Sequence, residues 1–221
     1  MRTSPRSSGR CHGFSLLEML VVVAIIAVMM SLLVPAIGGF TNTAGRRGAV
    51  NVVMNTLEQA RVAALESGQT VYVGFADRDF SPEMQYTALI VFREATAEEK
   101  ADPSNPRTFV VLKRWTRLPK NIAFKNVANS LIGSSEVKKT FSGLASQLGS
   151  GQSRESFPYL AFNSSGAVEE PSGNLRLYLY EGYFAENQDK PTRNQNGGLF
   201  EQISISRYTG RVQLDITATG T

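Results

Sequence analysis

One carboxylate, Glu18, stands at the head of an apolar stretch. Gly13-Phe14-Ser15-Leu16-Leu17-Glu18 is followed by Met19 to Ile37 without a single charge. An acid inside a membrane-type helix costs about 2.5–3.5 kcal/mol, less near the interface, and such residues usually have a partner. Here proteolysis can make one. A cut after Gly13 gives Phe14 a free α-amine one helical turn before Glu18, so amine and carboxylate lie at similar depth. Within one chain they pair at i,i+4. Between parallel chains the amine of one neutralises the carboxylate of the next, and a lipid cost becomes a device for setting helix register.

The rest of the chain offers little reactive chemistry. Its only cysteine and only histidine, Cys11 and His12, lie in the leader before Gly13. Without that leader there is no thiol and no imidazole, which excludes Cys–His and Ser–His–Asp catalysis and metal sites built on Cys or His. No enzyme activity, metal or cofactor is expected. Arg2, Arg6 and Arg10 also belong to the leader, and without them the net charge of +4 falls to +1. Overall charge therefore gives no argument for nucleic acid. Lys113-Arg114-Trp115-Thr116-Arg117 is the one basic cluster with an aromatic; such a cluster can hold an anionic strand by charge and stacking, but a charged strand edge that blocks aggregation is the preferred reading. Asp77, Asp79, Glu94, Glu98, Glu99 and Asp102 read as solvated charge, because they lack the ordered set of oxygens that calcium needs. No spacing supports a Ser–Lys pair with Lys138 or Lys139. Gly149-Ser150-Gly151 lacks a strand–helix setting and reads as a linker.

The elements that would position Glu18 follow from hydropathy. As a helix, Met19 to Ile37 rises roughly 28 Å, close to the thickness of a bilayer core. The arginines before it satisfy the positive-inside rule, whereas Arg46 and Arg47 beyond it are a mild counter-signal. A cleaved secretory signal would need a better small-residue site than Val34 to Gly38. A plain anchor leaves Glu18 unexplained, and a buried core helix does not suit a run that is apolar all round. Gly38, Gly39, Gly45 and Gly48 then lower helix propensity by about 1 kcal/mol each. That segment reads either as a loop or as a helix that can extend or melt.

Periodicity returns at Val50, Val53, Met54, Leu57, Ala60 and Ala64, an amphipathic helix over Ala49–Ser67 that stops at Gly68. The remainder reads as β. Thr70–Ala76 alternates, with Val71, Val73 and Phe75 on one face. Ala88–Phe92 and Thr108–Leu112 are apolar on both faces and read as central strands. Leu160–Phe162 ends in Asn163-Ser164-Ser165-Gly166, a turn cluster. Leu175, Leu177 and Leu179 alternate with polar neighbours. Ile203 and Ile205, then Val212, Leu214 and Ile216, flank a turn at Tyr208-Thr209-Gly210 and read as a hairpin. Glu94–Arg107, Lys125–Phe157 and Gly182–Phe200 read as enlarged loops, whose composition favours turns over packing.

Gly13-Phe14-Ser15-Leu16-Leu17-Glu18 with its apolar run resembles the N-terminal signal of type IV prepilins and type II secretion pseudopilins. There the pattern is Gly, cut, Phe, Ser or Thr, Leu, any residue, Glu. The resemblance implies a cut after Gly13 by a membrane-embedded prepilin peptidase, N-methylation of Phe14, and a role for Glu18 in subunit docking. It also implies a helix kink at Pro35, in keeping with that residue's missing N–H. Gln59-Ala60-Arg61 with Ala64 and Gly68 is similar to the H-type minor pseudopilins. So are Phe162 with Gly166, and Ile203-Ser204-Ile205-Ser206 leading to Gly210-Arg211-Val212.

The expected fold is α+β: a long N-terminal helix, membrane half plus amphipathic half, packed on an antiparallel β-sheet head domain. The expected divisions are a cleaved cytoplasmic leader over 1–13, a transmembrane and assembly helix over 14–37, a Gly-rich segment with the amphipathic helix over 38–68, and an exported head over 69–221. The expected function is a minor pseudopilin- or pilin-like filament subunit, with a membrane-tethered binding domain that never polymerises as the alternative. Partners would be the peptidase, other pilins or pseudopilins, the assembly platform and membrane lipid, with nucleic acid disfavoured. The expected location is the bacterial inner membrane with a periplasmic head.

Overall fold

The structure is a computed structural model that describes residues 16–104, 107–125, 130–132, 138–148, 154–172, 175–182 and 200–215; side chains of 31–44, 180–181 and 200 are not among those described. The chain divides into two units, Met1–Asn42 and Thr43–Thr221. One helix, α1 (Leu16–Ser67), supplies residues to both. The Gly-rich stretch left open by sequence is helical: α1 runs through Gly38, Gly39, Gly45 and Gly48.

In the second unit, α1 ends where the sequence places its stop. Gly68 takes φ +64° and its N–H donates to Ala64 O at 3.0 Å, a left-handed cap that occupies an otherwise orphaned carbonyl. The strands are β1 (Val71–Phe75), β2 (Ala88–Glu94), β3 (Phe109–Arg117), β4 (Ile122–Phe124), β5 (Lys138–Thr140), β6 (Ser156–Phe162), β7 (Val168–Glu170), β8 (Arg176–Glu181), β9 (Phe200–Ile205) and β10 (Val212–Asp215), with short helices α2 (Ala97–Ala101) and α3 (Ala145–Leu148). They form two antiparallel sheets. One has the order β3-β2-β1-β6-β5 with β7 also paired to β6, and the other β10-β9-β8-β4. The fold is α+β, as expected.

The central strands β1, β2 and β6 of the first sheet are buried on both faces, and strict alternation divides their residues between two cores. Val71, Val73 and Phe75 of β1, Leu89 and Val91 of β2, and Leu160 and Phe162 of β6 pack with the α1 stripe and with the inner residues of the second sheet. Val53, Leu57, Ala60 and Ala64 of that stripe are fully buried, as the 3.6-residue period requires. Tyr72, Ala88, Ile90, Phe92, Phe157 and Tyr159 face the other way into an aromatic core. Tyr72 stacks on Phe92 at 5.3 Å, and Phe141 meets Phe92 edge-on at 4.7 Å. Gly74 lies among them. A Cβ there would come within 2.3 Å of the Phe157 ring, so the absent side chain is what lets that ring lie against β1.

The second core corrects the reading of Lys125–Phe157 as unpacked loop. Part of it, 138–148, lies over the aromatic face: β5 pairs with β6, and Phe141 and Leu144 are fully buried. Glu94–Arg107 is also ordered in part, because α2 carries a complete capping box between Thr96 and Glu99. Thr108–Leu112 is corrected too. It belongs to β3, at the edge of its sheet and only half-buried. Of its apolar residues, Phe109 and Val111 pack on the aromatic core, as does Leu148 of α3, whereas Leu112 is exposed.

Candidate assembly site

The first unit presents an apolar rod with one acid. Every residue from Leu16 to Met30 is exposed, including Leu16 at 88%, Leu20 at 64% and Val28 at 61%. Glu18, in the first turn, is the only charged residue among them and is itself exposed. Water does not tolerate such a surface. Each exposed apolar Å² withheld from a partner forgoes about 25 cal/mol, and a helix apolar all round requires cover on every side. Among the described residues no helix is long and apolar enough to cross a membrane. Met19–Ile37, the stretch with that length in the sequence, runs past Met30 into residues whose side chains lie outside the described ones. Gly13 and Phe14 also lie outside them. Pro35 falls within the span of α1.

At the other end of α1 the structure gathers residues that sequence noted separately. Arg61 Nε donates to Thr209 O at 2.7 Å, across 148 residues. The Arg61 guanidinium also meets Glu58 at 3.3 Å, and Glu58 accepts from the main-chain N–H of Val212, the first residue of β10. The β9–β10 turn is thereby tied to the helix by its carbonyl and by its strand. Gly210 sits at the centre at φ +62°, and a Cβ on it would come within 2.0 Å of Gly166 O and about 3 Å of Arg61 and Phe162. Gly166, at φ +76°, backs onto Leu65 in turn. Asn163 fixes that second turn by accepting from the N–H groups of Ser165 and Ala167. Ala60-Arg61, Phe162, Gly166 and Gly210 thus form one junction, which clamps the helix to two turns of the head.

The basic cluster does not form an open stacking platform. Lys113 Nζ donates to Thr56 Oγ1 at 2.9 Å, and Arg117 pairs with Glu83 at 2.8 Å. Trp115 packs on Phe80 at 4.9 Å and on Phe157 at 5.6 Å, so its ring is engaged within the protein. β3 is an edge strand, blunted by two register shifts against β2 and by the Gln147 side chain, whose amide donates to Phe109 O and accepts from Val111 N. Arg46, the counter-signal beyond the apolar run, pairs with Glu201 at 3.2 Å and so belongs to the packing of the head.

The acidic residues need a correction. Asp77 is not solvated. Its side chain is 3% exposed and pairs with Lys138, which also reaches Asp79 Oδ2 at 3.2 Å. Burial pulls the Lys138 ammonium down, but the bonds to the two carboxylates outweigh it and hold it above its ordinary value. The neighbouring Lys139 caps the aromatic core, 5.5 Å from the Tyr72 ring centre and 5.6 Å from that of Tyr159. Tyr72 and Tyr159 donate to Glu94 and Glu170. Burial, then those carboxylates, pushes both hydroxyls well above the usual tyrosine range. Among the described residues no group of His, Cys, Asp or Glu could hold a metal.

Residues 8–34 match the prokaryotic N-terminal methylation motif. The match spans Gly13, Phe14 and Glu18 and defines the class: a chain with a methylation-type N-terminal segment ahead of an α+β head. It supports a pilin-like or pseudopilin family. The fold is similar to that of the type IV minor pilin FimU of Pseudomonas aeruginosa strain PAO1. In one crystal form the identity is 15% and the TM-score 0.41, over 82% of this chain and 96% of that one. In a second form the identity is 14% and the TM-score 0.39, over 79% and 96%. It is also similar to the minor pseudopilin EpsH from the Type 2 Secretion System of Vibrio cholerae, at 14% identity and TM-score 0.36, over 77% and 95%. Likeness at this level assigns no function. No curated protein matches the chain.

Proposed function

We propose that this chain is a minor pilin-like or pseudopilin-like structural subunit. It is inserted in the bacterial inner membrane by its apolar helix with the head outside the cytoplasm, cut after Gly13 by a prepilin peptidase, and methylated on Phe14. It then enters a filament with other pilin-type subunits at an assembly platform. The observation that carries this reading is the rod from Leu16 to Met30, apolar on every side and bearing one acid, inside a segment that matches a methylation motif. Such a surface is suited first to lipid and then to a bundle of like helices. Glu18 provides directionality: the amine on Phe14 of one subunit neutralises the carboxylate of its neighbour, and a mispaired register leaves an ion stranded among hydrocarbon. Pro35 supplies a position where the helix can bend without losing an N–H bond. The function is mechanical, and no catalytic residue is assigned.

Two substitutions test it in cells that carry the peptidase. Gly13→Ala keeps the leader attached, so N-terminal sequencing recovers Met1. Glu18→Ala is trimmed and yields Phe14, yet its incorporation into filaments falls by about tenfold or more, the scale expected for a lost desolvated ion pair. Wild-type protein that retains Met1 beside an active peptidase, or normal incorporation of Glu18→Ala, overturns the proposal.

A further inference from the structure

A sheet edge is a template for another strand, and the head treats its edges differently. β3 is blunted by register shifts and by Gln147, which occupies Phe109 O and Val111 N. In the second sheet the β4 edge is closed, because the Phe124 N–H donates to Tyr86 O at 2.8 Å. The β10 edge is not. Its register against β9 is unbroken, with Val212 opposite Ile205, Gln213 opposite Ser204, Leu214 opposite Ile203 and Asp215 opposite Gln202. In an antiparallel ladder alternate residues turn their main-chain groups to opposite sides. The Ile205 N–H goes to Leu175 O, on the β8 side, and the Ser206 N–H donates to Arg211 O. Arg211, Gln213 and Asp215 therefore face β9, whereas Val212 and Leu214 turn N–H and C=O to the free edge. Glu58 accepts the Val212 N–H at a long 3.3 Å. Among the described residues Val212 O and both main-chain groups of Leu214 meet no partner, and the Leu214 side chain is 37% exposed.

We infer that this edge pairs with the same edge of a second copy of the chain, antiparallel about a twofold axis at Gln213. The order of residues argues for that occupant. Read against itself, Arg211-Val212-Gln213-Leu214-Asp215 sets Arg211 opposite Asp215 of the second copy, Val212 opposite Leu214, and Gln213 opposite Gln213. Opposite charges meet at both ends and apolar residues meet between them, each a favourable cross-strand pair. A parallel pairing would instead set arginine beside arginine and aspartate beside aspartate. The antiparallel register also serves the main chain. The Leu214 N–H donates to Val212 O of the second copy, and the Val212 N–H exchanges Glu58 for Leu214 O. Glu58 keeps its ion pair with Arg61. A twofold contact satisfies itself, so it makes dimers and not fibres. So short a strand pairs weakly in dilute solution, and confinement to one lipid layer raises the effective concentration. That confinement rests on the lipid reading of α1; the pairing rests on the head alone.

The test uses full chains carrying Cys11→Ser in phosphatidylethanolamine–phosphatidylglycerol vesicles, recovered by flotation and mildly oxidised. In a non-hydrogen-bonded cross-strand pair the Cα atoms lie about 4.5 Å apart, within the disulfide range of about 4.4–6.8 Å. Gln213→Cys is expected to give a disulfide-linked dimer. Arg211→Cys or Asp215→Cys alone, each roughly 13 Å along the strand from its own copy, links at least about tenfold less, whereas a mixture of the two links. Leu214→Pro deletes a donor on the free side, where an edge strand tolerates proline, so it cuts Gln213→Cys linking about tenfold with unchanged circular dichroism. Arg211→Asp weakens linking, and Arg211→Asp with Asp215→Arg restores it. Chains that fail to float overturn the lipid reading of α1, and the pairing is then read at high chain concentration in detergent. Gln213→Cys that links no more than Arg211→Cys, linking indifferent to Leu214→Pro, or a charge exchange that fails to restore it overturns the inference. So does linking of Gln213→Cys, in native membranes, to another protein in place of its own copy.

Discussion

The two halves of α1 invite comparison because both are rich in apolar residues and only one hides them. Leu16–Met30 is exposed on all sides, whereas in Ala49–Ser67 the stripe of Val53, Leu57, Ala60 and Ala64 is fully buried. The difference lies in pattern and not in hydrophobicity. A stripe leaves a polar face for water and a single face for a sheet, and this chain supplies that sheet. A helix apolar all round cannot be covered by one sheet, so its cover comes from lipid or from other helices. One half is stabilised within the chain; the other is an apolar surface that calls for cover from outside it.

That contrast predicts how substitutions divide. The largest effect belongs to Leu57→Ala, which deletes a fully buried side chain and should destabilise the head by about 2–5 kcal/mol, read by denaturant unfolding. Leu20→Ala, in the exposed half, should leave the same head transition within about 0.5 kcal/mol. Equal effects would erase the distinction. Next is Gly210→Ala. It forces a Cβ against Gly166 O at a positive φ, and a loss of at least about 2 kcal/mol is expected, with the hairpin losing amide-exchange protection first.

Smaller is Arg61→Ala, which removes the bond from the helix to Thr209 O and should lower head stability by about 0.5–1.5 kcal/mol. If Gly210→Ala already breaks the junction, adding Arg61→Ala to it should cost less than in the wild type, a coupling that a double-mutant cycle measures.

The smallest effect is confined to α2. The Arg93 guanidinium, then the Thr96 N–H, hold Glu99 down at about 2 from an ordinary value of 4.5. Because the folded value is depressed, the stabilisation is present above pH 4.5 and is lost as pH falls toward 2. Amide exchange in 96–101 should accelerate across that window while β1 and β2 stay protected, and Glu99→Gln should remove the step.

Much of the molecule was legible because the relevant signals are local. The α1 stripe, its stop at Gly68, the alternation of β1 and the β9–β10 hairpin each follow from residues within one or two turns of one another. The errors have a different origin. Thr108–Leu112 looked like a central strand because it is apolar on both faces, but a covering segment from distant sequence makes an edge strand apolar too. The residues of 138–148 looked like loop because their composition is polar, yet Phe141 and Leu144 were enough to seal a second core. Asp77 looked solvated because its partner, Lys138, is remote in the chain.

Sequence alone determined the N-terminal segment: the glycine, the phenylalanine, the acid at its spacing and the uniform apolar run are read without any tertiary contact, because a motif of this kind is a pattern of neighbouring residues in local chain chemistry. Only the tertiary structure decided that Arg61, Gly166 and Gly210 meet in one junction, that the central strands of the first sheet are covered on both faces, and that β10 lies at the edge of its sheet. Those depend on strand order, and strand order is set by which distant apolar faces bury one another, a sum over the whole chain that no short stretch contains.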